Sequence, residues 1–366
     1  MTVVSMSSQS KKNMKVAHIF KALNPGGIES WLKDLSYFEE HQLHYLVQDN
    51  TPGFYDEEVL NNKVKLVKTP FDKGLFSYSY YIFKYFKNND IDVVHSHVNL
   101  SSGWILFIAF LAGVKKRVAH CHNDKRSEYQ KANFVRKAYY FLMKVFVDIF
   151  SNIKISVSVD AAPSMFYKNR NYEVIPCGLS FGKAGELMRD DFNLSENDIV
   201  ITHVGRFVNQ KNHAFIIDLA ESLRNERVKF LLVGQGDLQT ETKGLVKSKG
   251  LEDIVTFLNV RSDINNILCD LSDFFILPSK FEGLGLAAVE SQSNNVYTLV
   301  SDRVPLEVKI SNYIDFLPIQ TVECWAQRIK FLISSSEYKN AKKSSFDNYK
   351  FSIENNVKNI NRAYIK

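Results

Sequence analysis

Four cysteines in 366 residues, Cys121, Cys177, Cys269 and Cys324, share no paired spacing. That excludes a disulfide framework or a cysteine-built zinc site and leaves reduced, mostly buried thiols as the expectation. No apolar run reaches the roughly 20 residues needed to cross a bilayer, and the amino-terminal stretch lacks the apolar core of a secretion signal, so the expected location is cytoplasmic. Residues 1–13, rich in serine and lysine without periodicity, read as a disordered tail. Acidic residues are scarce in one place. Residues 115–144 hold nine lysines and arginines against only Asp124 and Glu128, and this stretch accounts for the whole basic excess of residues 1–180, where 23 basic residues face 16 acidic ones. The cluster is not interleaved as a recognition helix and no nucleic-acid motif accompanies it, which excludes a nucleic-acid partner.

What is present is enough apolar residue, 45%, to build two cores of ordinary domain size. Short apolar runs alternate with amphipathic segments in both halves. The first half reads as strands over 16–20, 43–47, 92–95, 117–121, 153–157 and 172–175, and the second over 199–204, 228–233, 254–258, 274–277, 297–300 and 315–317. Alternation of strand and helix implies an α/β protein with two doubly wound, Rossmann-like domains, 14–180 and 194–336. They are joined through Pro176–Asn193, with Gly182 to Gly185 as a loose connector. Residues 337–366 read as a helical segment returning to the first domain.

Residues 278–292, Pro-Ser-Lys-Phe-Glu-Gly-Leu-Gly-Leu-Ala-Ala-Val-Glu-Ser-Gln, follow the apolar run Phe274–Leu277. A strand, a turn containing Gly283 and Gly285, and a helix start are expected here, at the end of a sheet where open α/β folds bind ligands. The two glycines permit close backbone approach, the amides of Leu286, Ala287 and Ala288 can receive a phosphate, and Glu290 can reach a diol beyond it. Glu282 lies nearer a sugar. Upstream, the strand ending at Val204 runs into Gly205-Arg206-Phe-Val-Asn-Gln-Lys211. Arg206 can fork onto a diphosphate and Lys211 adds a point charge, together offsetting the charge that builds as a diphosphate departs.

Gly205-Arg206-x4-Lys211 followed by Glu282-x7-Glu290 resembles the retaining glycosyltransferases of family four, which have the GT-B fold, and the likeness extends along most of the chain. Phe230-Leu-Leu-Val-Gly234-Gln-Gly236-Asp237 resembles that family's strand and glycine loop beside the nucleotide. Pro25-Gly26-Gly27-Ile28-Glu29 resembles its amino-terminal glycine loop, expected to approach the diphosphate or acceptor. Val93-Val-His-Ser-His97 and Arg117-Val-Ala-His-Cys-His122-Asn123 resemble bacterial capsular and exopolysaccharide members. The resemblance implies Glu290 on the ribose hydroxyls, Glu282 at the donor sugar, and the histidine of the Ala-His-Cys-His122 segment at the sugar's 6-hydroxyl or the reaction centre. His120 and His122 share a face by period two, and His122 is preferred as the match to the family pattern.

The implied activity is transfer of a sugar from a nucleotide-diphosphate donor, UDP-sugar favoured, to a lipid-linked or saccharide acceptor. No metal and no cofactor is expected: the one Asp-x-Asp, Asp90-Ile-Asp92, reads as a strand start rather than the metal motif of other transferases. The chain departs from the family where Pro176-Cys-Gly-Leu-Ser180 lacks the usual acid, and where Asn259 replaces a glycine, so the base-contacting loop is expected to differ in shape. Two alternatives use the same fold: a nucleotide-sugar epimerase, and a non-catalytic partner subunit, against which the intact Arg206, Lys211, Glu282 and Glu290 argue. The basic cluster, with the aromatic segments 138–150 and 104–111, suggests docking on an anionic membrane surface at the inner face of the cell membrane.

Overall fold

The computed structural model describes residues 13–168, 170–181, 185–343 and 349–366. Most of the expected tail, residues 182–184 of the connector and residues 344–348 lie outside this set. The first sheet holds Lys15–Phe20 (β1), Gln42–Val47 (β2), Lys65–Lys68 (β3), Val93–Ser96 (β4), Lys116–Cys121 (β5), Ile153–Ser156 (β6) and Glu173–Val174 (β7), in the order β3-β2-β1-β4-β5-β6-β7. The second holds Ile199–Val204 (β8), Val228–Val233 (β9), Val255–Asn259 (β10), Phe274–Leu277 (β11), Tyr297–Ser301 (β12) and Ile314–Leu317 (β13), in the order β10-β9-β8-β11-β12-β13. Every pairing is parallel. In each sheet the order reverses beside its first strand, β1 against β4 and β8 against β11, and such a reversal opens a crevice at the strands' carboxyl ends.

The helices are Gly27–Phe38 (α1), Asp56–Asn61 (α2), Leu75–Asn88 (α3), Ser102–Leu111 (α4), Arg126–Lys131 (α5), Phe134–Phe150 (α6), His213–Ser222 (α7), Gln239–Lys249 (α8), Ile264–Asn266 (α9), Leu286–Ser293 (α10), Val322–Ser335 (α11) and Ile353–Ile365 (α12). Parallel strands covered on both faces must be apolar throughout, and Phe274–Leu277 is buried at all four positions. Asp92, from the Asp-x-Asp, accepts the Lys15 amide at 2.9 Å and ties the start of β4 to β1.

The last helix belongs to the first sheet. Ser352 caps α12 by accepting the Asn355 amide, and Ile353, Val357, Ile360 and Tyr364, spaced four, three and four apart, form its buried stripe. Burying each such side chain contributes roughly 1.5–3 kcal/mol. Trp31 of α1 donates its indole N–H to Asn356 at 2.8 Å, and Asn361 donates to Glu39 at 3.0 Å, so polar groups fix the docking that the apolar stripe drives. One apolar core runs from the first sheet through Phe275, Leu277, Ala288 and Val289 of the second, joining the two at the crevice.

Two expectations need correction. Of the cysteines only Cys121 and Cys177 are buried, while Cys269 is exposed and Cys324 half-buried, because the latter two lie on outer helical faces. The segment 104–111 is largely a core element: α4 packs against α6 and buries Ile105, Leu106, Ile108 and Ala109, leaving Phe110 and Leu111 exposed.

Candidate active site

The loops following the strands of both sheets enclose a cavity of about 860 Å³. That volume suits a nucleotide-sized ligand, and ligand sites of open α/β sheets sit in such a place. From the second sheet, the turn after β11 supplies Glu282, Gly283, Gly285 and, on α10, Leu286, Ala287 and Glu290, all on the cavity wall. Gly285 stands at φ 94°, the left-handed region that lets the chain swing from strand into helix at little cost. Leu286 and Ala287, the first residues of α10, present amides that have no carbonyl one turn back to bond. Ala288 does not: its amide donates to the Gly285 carbonyl at 2.9 Å, because the first turn tightens, so two amides rather than three are open to an anion.

Gly283 is required for another reason than ligand approach. A Cβ there would lie 1.8 Å from the His122 carbonyl oxygen, and the Ser158 hydroxyl donates to the Gly283 carbonyl. The turn is pressed against the end of β5, and glycine is the residue that allows the contact.

Arg206 is exposed into the cavity, while Lys211 forms an ion pair with Glu282, Nζ to Oε1 2.6 Å, with Glu282 only 6% exposed. Gln210 donates to the other carboxylate oxygen of Glu282 at 3.2 Å. Lys211 and Glu282, 71 residues apart in sequence, therefore act as a unit. Glu290 is flanked by Asp34 of α1. Burial chiefly, with the negative charge of Asp34 next, pushes its carboxyl up to about 7 against the pull of Lys33 and Lys211.

From the first sheet come Gly26, Gly27, Glu29, Lys33, Asp34 and His122. Gly27 packs beside Leu286, its Cβ position 3.5 Å from the leucine methyl. Burial raises the Glu29 carboxyl, with Arg206 and Lys21 drawing it back down. Asp34 accepts the Ser180 amide at 3.3 Å, so a carboxylate does stand beside the position where the family acid is missing. Asp34, Lys33, Tyr55 and Arg261 line the cavity without having been singled out in the sequence. They sit on a helix face and in loops with no local signature.

Gly234 lines the cavity, whereas Gly236 is turned away from it. A Cβ at Gly236 would meet the Phe207 carbonyl oxygen at 2.6 Å, so this glycine serves packing between neighbouring loops rather than a ligand. Asn259 adopts φ 52°, a conformation that Asn tolerates nearly as glycine does, and the Gly234 amide donates to its carbonyl at 2.7 Å.

His122 reaches the cavity; His120, fully buried, does not. Both ring nitrogens of His122 are engaged, Nε2 with His97 Nδ1 at 2.9 Å and Nδ1 with the Cys177 sulfur at 3.5 Å. Burial pushes its imidazolium down to about 3, so the ring is neutral at physiological pH and forms a wall rather than a proton donor.

Residues 186–346 match the family described as glycosyl transferases group 1. The capsular polysaccharide biosynthesis glycosyltransferase CapH of Staphylococcus aureus is 28% identical over 344 residues, covering 89% of this chain and 92% of that protein. A UDP-Gal:alpha-D-GlcNAc-diphosphoundecaprenol alpha-1,3-galactosyltransferase of Escherichia coli is 28% identical over 271 residues, covering 70% of this chain and 67% of its own length. Among solved structures, Anabaena HepE in complex with UDP and glucose superposes with a TM-score of 0.79 at 17% identity over 95% of this chain and 98% of that one. Sucrose-phosphate synthase from Thermosynechococcus elongatus gives 0.77 at 17% identity over 96% and 98%.

Proposed function

Since the chain is a glycosyltransferase of the GT-B fold, we propose that it moves a sugar from a UDP-sugar to a saccharide on a lipid diphosphate, with retention at the anomeric carbon, in capsule or exopolysaccharide synthesis. The observation that carries this reading is the convergence in one cavity of Arg206, the Lys211–Glu282 pair, the two open amides of α10 and Glu290. In this reading Glu290 holds the ribose diol, and Arg206, Lys211 and the amides of Leu286 and Ala287 hold the diphosphate. Glu282 faces the donor sugar, with the neutral His122 beside it. As the bond from the anomeric carbon to the diphosphate oxygen breaks, its electron pair passes to that oxygen, which the two cations and the helix dipole stabilise without a metal ion. The acceptor oxygen bonds the anomeric carbon on the same face, and its proton goes to the departing diphosphate. The names of CapH and the diphosphoundecaprenol galactosyltransferase support the acceptor class, and the UDP in the HepE complex supports the donor base.

The first test is thermal stabilisation by UDP, GDP, ADP and dTDP in excess chelator. A ligand at about one hundred times its dissociation constant adds roughly 2.7 kcal/mol of stability, and a shift selective for UDP is expected. A GDP-selective shift moves the assays to other donors, and no shift with any nucleotide rejects the site. Donor turnover that depends on added acceptor separates the transferase from an epimerase.

Among the described residues no helix is long and apolar enough to cross a membrane. Helix α6 nevertheless exposes Phe134 (85%), Val135 (75%), Phe141 (68%) and Ile149 (62%), with Arg136 and Lys137 in its first turn. We propose that this face docks the enzyme on anionic lipid at the inner face of the cell membrane, from the cytoplasm, next to its lipid-linked acceptor. Co-sedimentation with vesicles containing anionic lipid should be substantial at low salt and fall as salt rises. Sedimentation equal with neutral vesicles, or unchanged in Phe134→Ser/Phe141→Ser, rejects the docking face.

A further inference from the structure

Behind the cavity wall, five histidines form one buried layer on a single face of the first sheet: His18 on β1, His95 on β4 with His97 just after it, His120 on β5 with His122 just after it. Each strand places side chains on the same face at every second position, and the parallel order β1-β4-β5 sets the three rows side by side. Trp31 of α1 and Tyr364 of α12 cover the layer, the former edge-on to His97 and His120. Five imidazoles in a dry interior are costly unless their nitrogens are used, and the His120 Nε2 is buried with no hydrogen-bond partner.

We propose that His97, His120 and His122 bind a zinc ion, in a site separate from the diphosphate chemistry, which braces the wall against which the donor-side turn closes. Each of the three offers one ring nitrogen, and the three atoms lie within 4.8 Å of one another. Their outer nitrogens are already held: His97 Nε2 by His18 Nδ1 at 2.9 Å, His120 Nδ1 by His95 Nε2 at 3.0 Å, and His122 Nδ1 by the Cys177 sulfur. His95 is fixed in turn by the Tyr364 hydroxyl at 2.7 Å. The bonds fix one tautomer pattern, in which His18 carries its proton on Nε2, a buried atom with no partner among the described residues. With protons on His97 Nε2, His120 Nδ1 and His122 Nδ1, all outer bonds are kept and the lone pairs of His97 Nδ1, His120 Nε2 and His122 Nε2 turn inward. Zinc replaces only the His97–His122 contact, and metal-bound histidines commonly donate their other N–H to such a second layer of partners. The neighbouring trio His18, His95 and His97 also falls within reach of one ion, but both nitrogens of His95 are engaged, so metal there would break an outer bond. Three imidazoles suit zinc, which takes about 2.1 Å to each nitrogen.

The test needs neither donor nor acceptor, so it stands or falls apart from the transferase reading. The full chain is stripped with chelator, dialysed, and titrated with Zn²⁺ against a chromophoric chelator. One zinc per chain is expected, with affinity falling at least 100-fold in His120→Gln and by less, about 3–10-fold, in Tyr364→Phe, which removes the hydrogen bond holding His95 behind His120. Cys269→Ala, at an exposed thiol outside the layer, is expected to leave binding unchanged. Cobalt in place of zinc should give the intense visible bands of low-symmetry nitrogen coordination in the unmodified chain and lose them in His120→Gln. Failure of the unmodified chain to take up one equivalent, or uptake unaltered in both His120→Gln and Tyr364→Phe, overturns the site.

Discussion

Lys211→Ala is expected to lower kcat on the preferred donor about 10²–10³-fold, the loss typical of removing one group that stabilises charge in a transition state. It is also expected to cost about 3 kcal/mol of stability, because Glu282 then lies buried without its ion-pair partner. The two losses have separate causes, and a second substitution parts them. Glu282→Gln in the Lys211→Ala background removes the stranded carboxyl while keeping an oxygen that can accept from Gln210, so most of the stability returns. Catalysis is not expected to return, since in the proposed mechanism the cation at the leaving diphosphate is still missing. Urea denaturation and steady-state kinetics on the two single variants and the double variant form a cycle whose coupling energy should exceed about 1 kcal/mol in stability. Unchanged kcat in Lys211→Ala removes Lys211 from the chemistry, and additive stabilities remove the pairing with Glu282.

Most strands were legible because a parallel strand buried on two faces is a largely apolar run, even where a buried histidine interrupts it in β1, β4 and β5. The exception is β3, whose Lys65-Leu-Val-Lys68 is a short, half-exposed edge strand with charge at both ends, and its place comes from pairing with β2 alone. The second-sheet half of the cavity was legible for a related reason. Arg206, Lys211 and Glu282 sit at fixed spacings in the turns that follow strands, with Glu290 a turn into α10, and the proposed phosphate site needs such spacings. The facing wall was not, because Lys33 and Asp34 are two positions on an amphipathic helix that point to the cavity only once α1 is laid on β1. Details of turn geometry were equally hidden. The Ala288 amide is consumed by a tightened first turn, and Gly236 is glycine to fit against Phe207, neither of which residue type reveals. The histidine layer shows the limit most clearly. Period two places His120 with His122, but their meeting with His18 and His97 depends on β1 and β4 being neighbours across more than seventy residues of chain.

Glu290→Gln should make the free protein more stable while disabling it. The Glu290 carboxyl titrates near 7 in the folded chain against 4.5 for an unhindered glutamate, raised by burial and by Asp34. Between those values the folded state keeps a proton that the unfolded state releases, so stability falls as pH rises through the window and the full penalty stands above pH 7. Glutamine has no proton to lose. The variant and the parent should have the same stability near pH 4, and by pH 8 the variant should lead by about 1–3 kcal/mol, the lower figure reflecting the carboxylate's contact with cavity water. Nucleotide binding moves the other way. A ribose diol donates two hydrogen bonds, which a carboxylate accepts with both oxygens and an amide with one, so UDP affinity should drop about 10–100-fold, since hydrogen bonds to charged groups contribute roughly 1.5–3 kcal/mol. In the parent, UDP affinity should also strengthen from pH 6 to pH 8 as Glu290 ionises. The terminal phosphate of UDP titrates near about 6 and adds its own slope. The variant keeps that phosphate slope and lacks the other, so the difference between the two pH profiles isolates Glu290. Denaturation curves and isothermal titration at pH 5, 6, 7 and 8 supply both quantities; parallel profiles would place the ribose elsewhere in the cavity, and equal stabilities at pH 8 would mean that water already relieves the carboxylate.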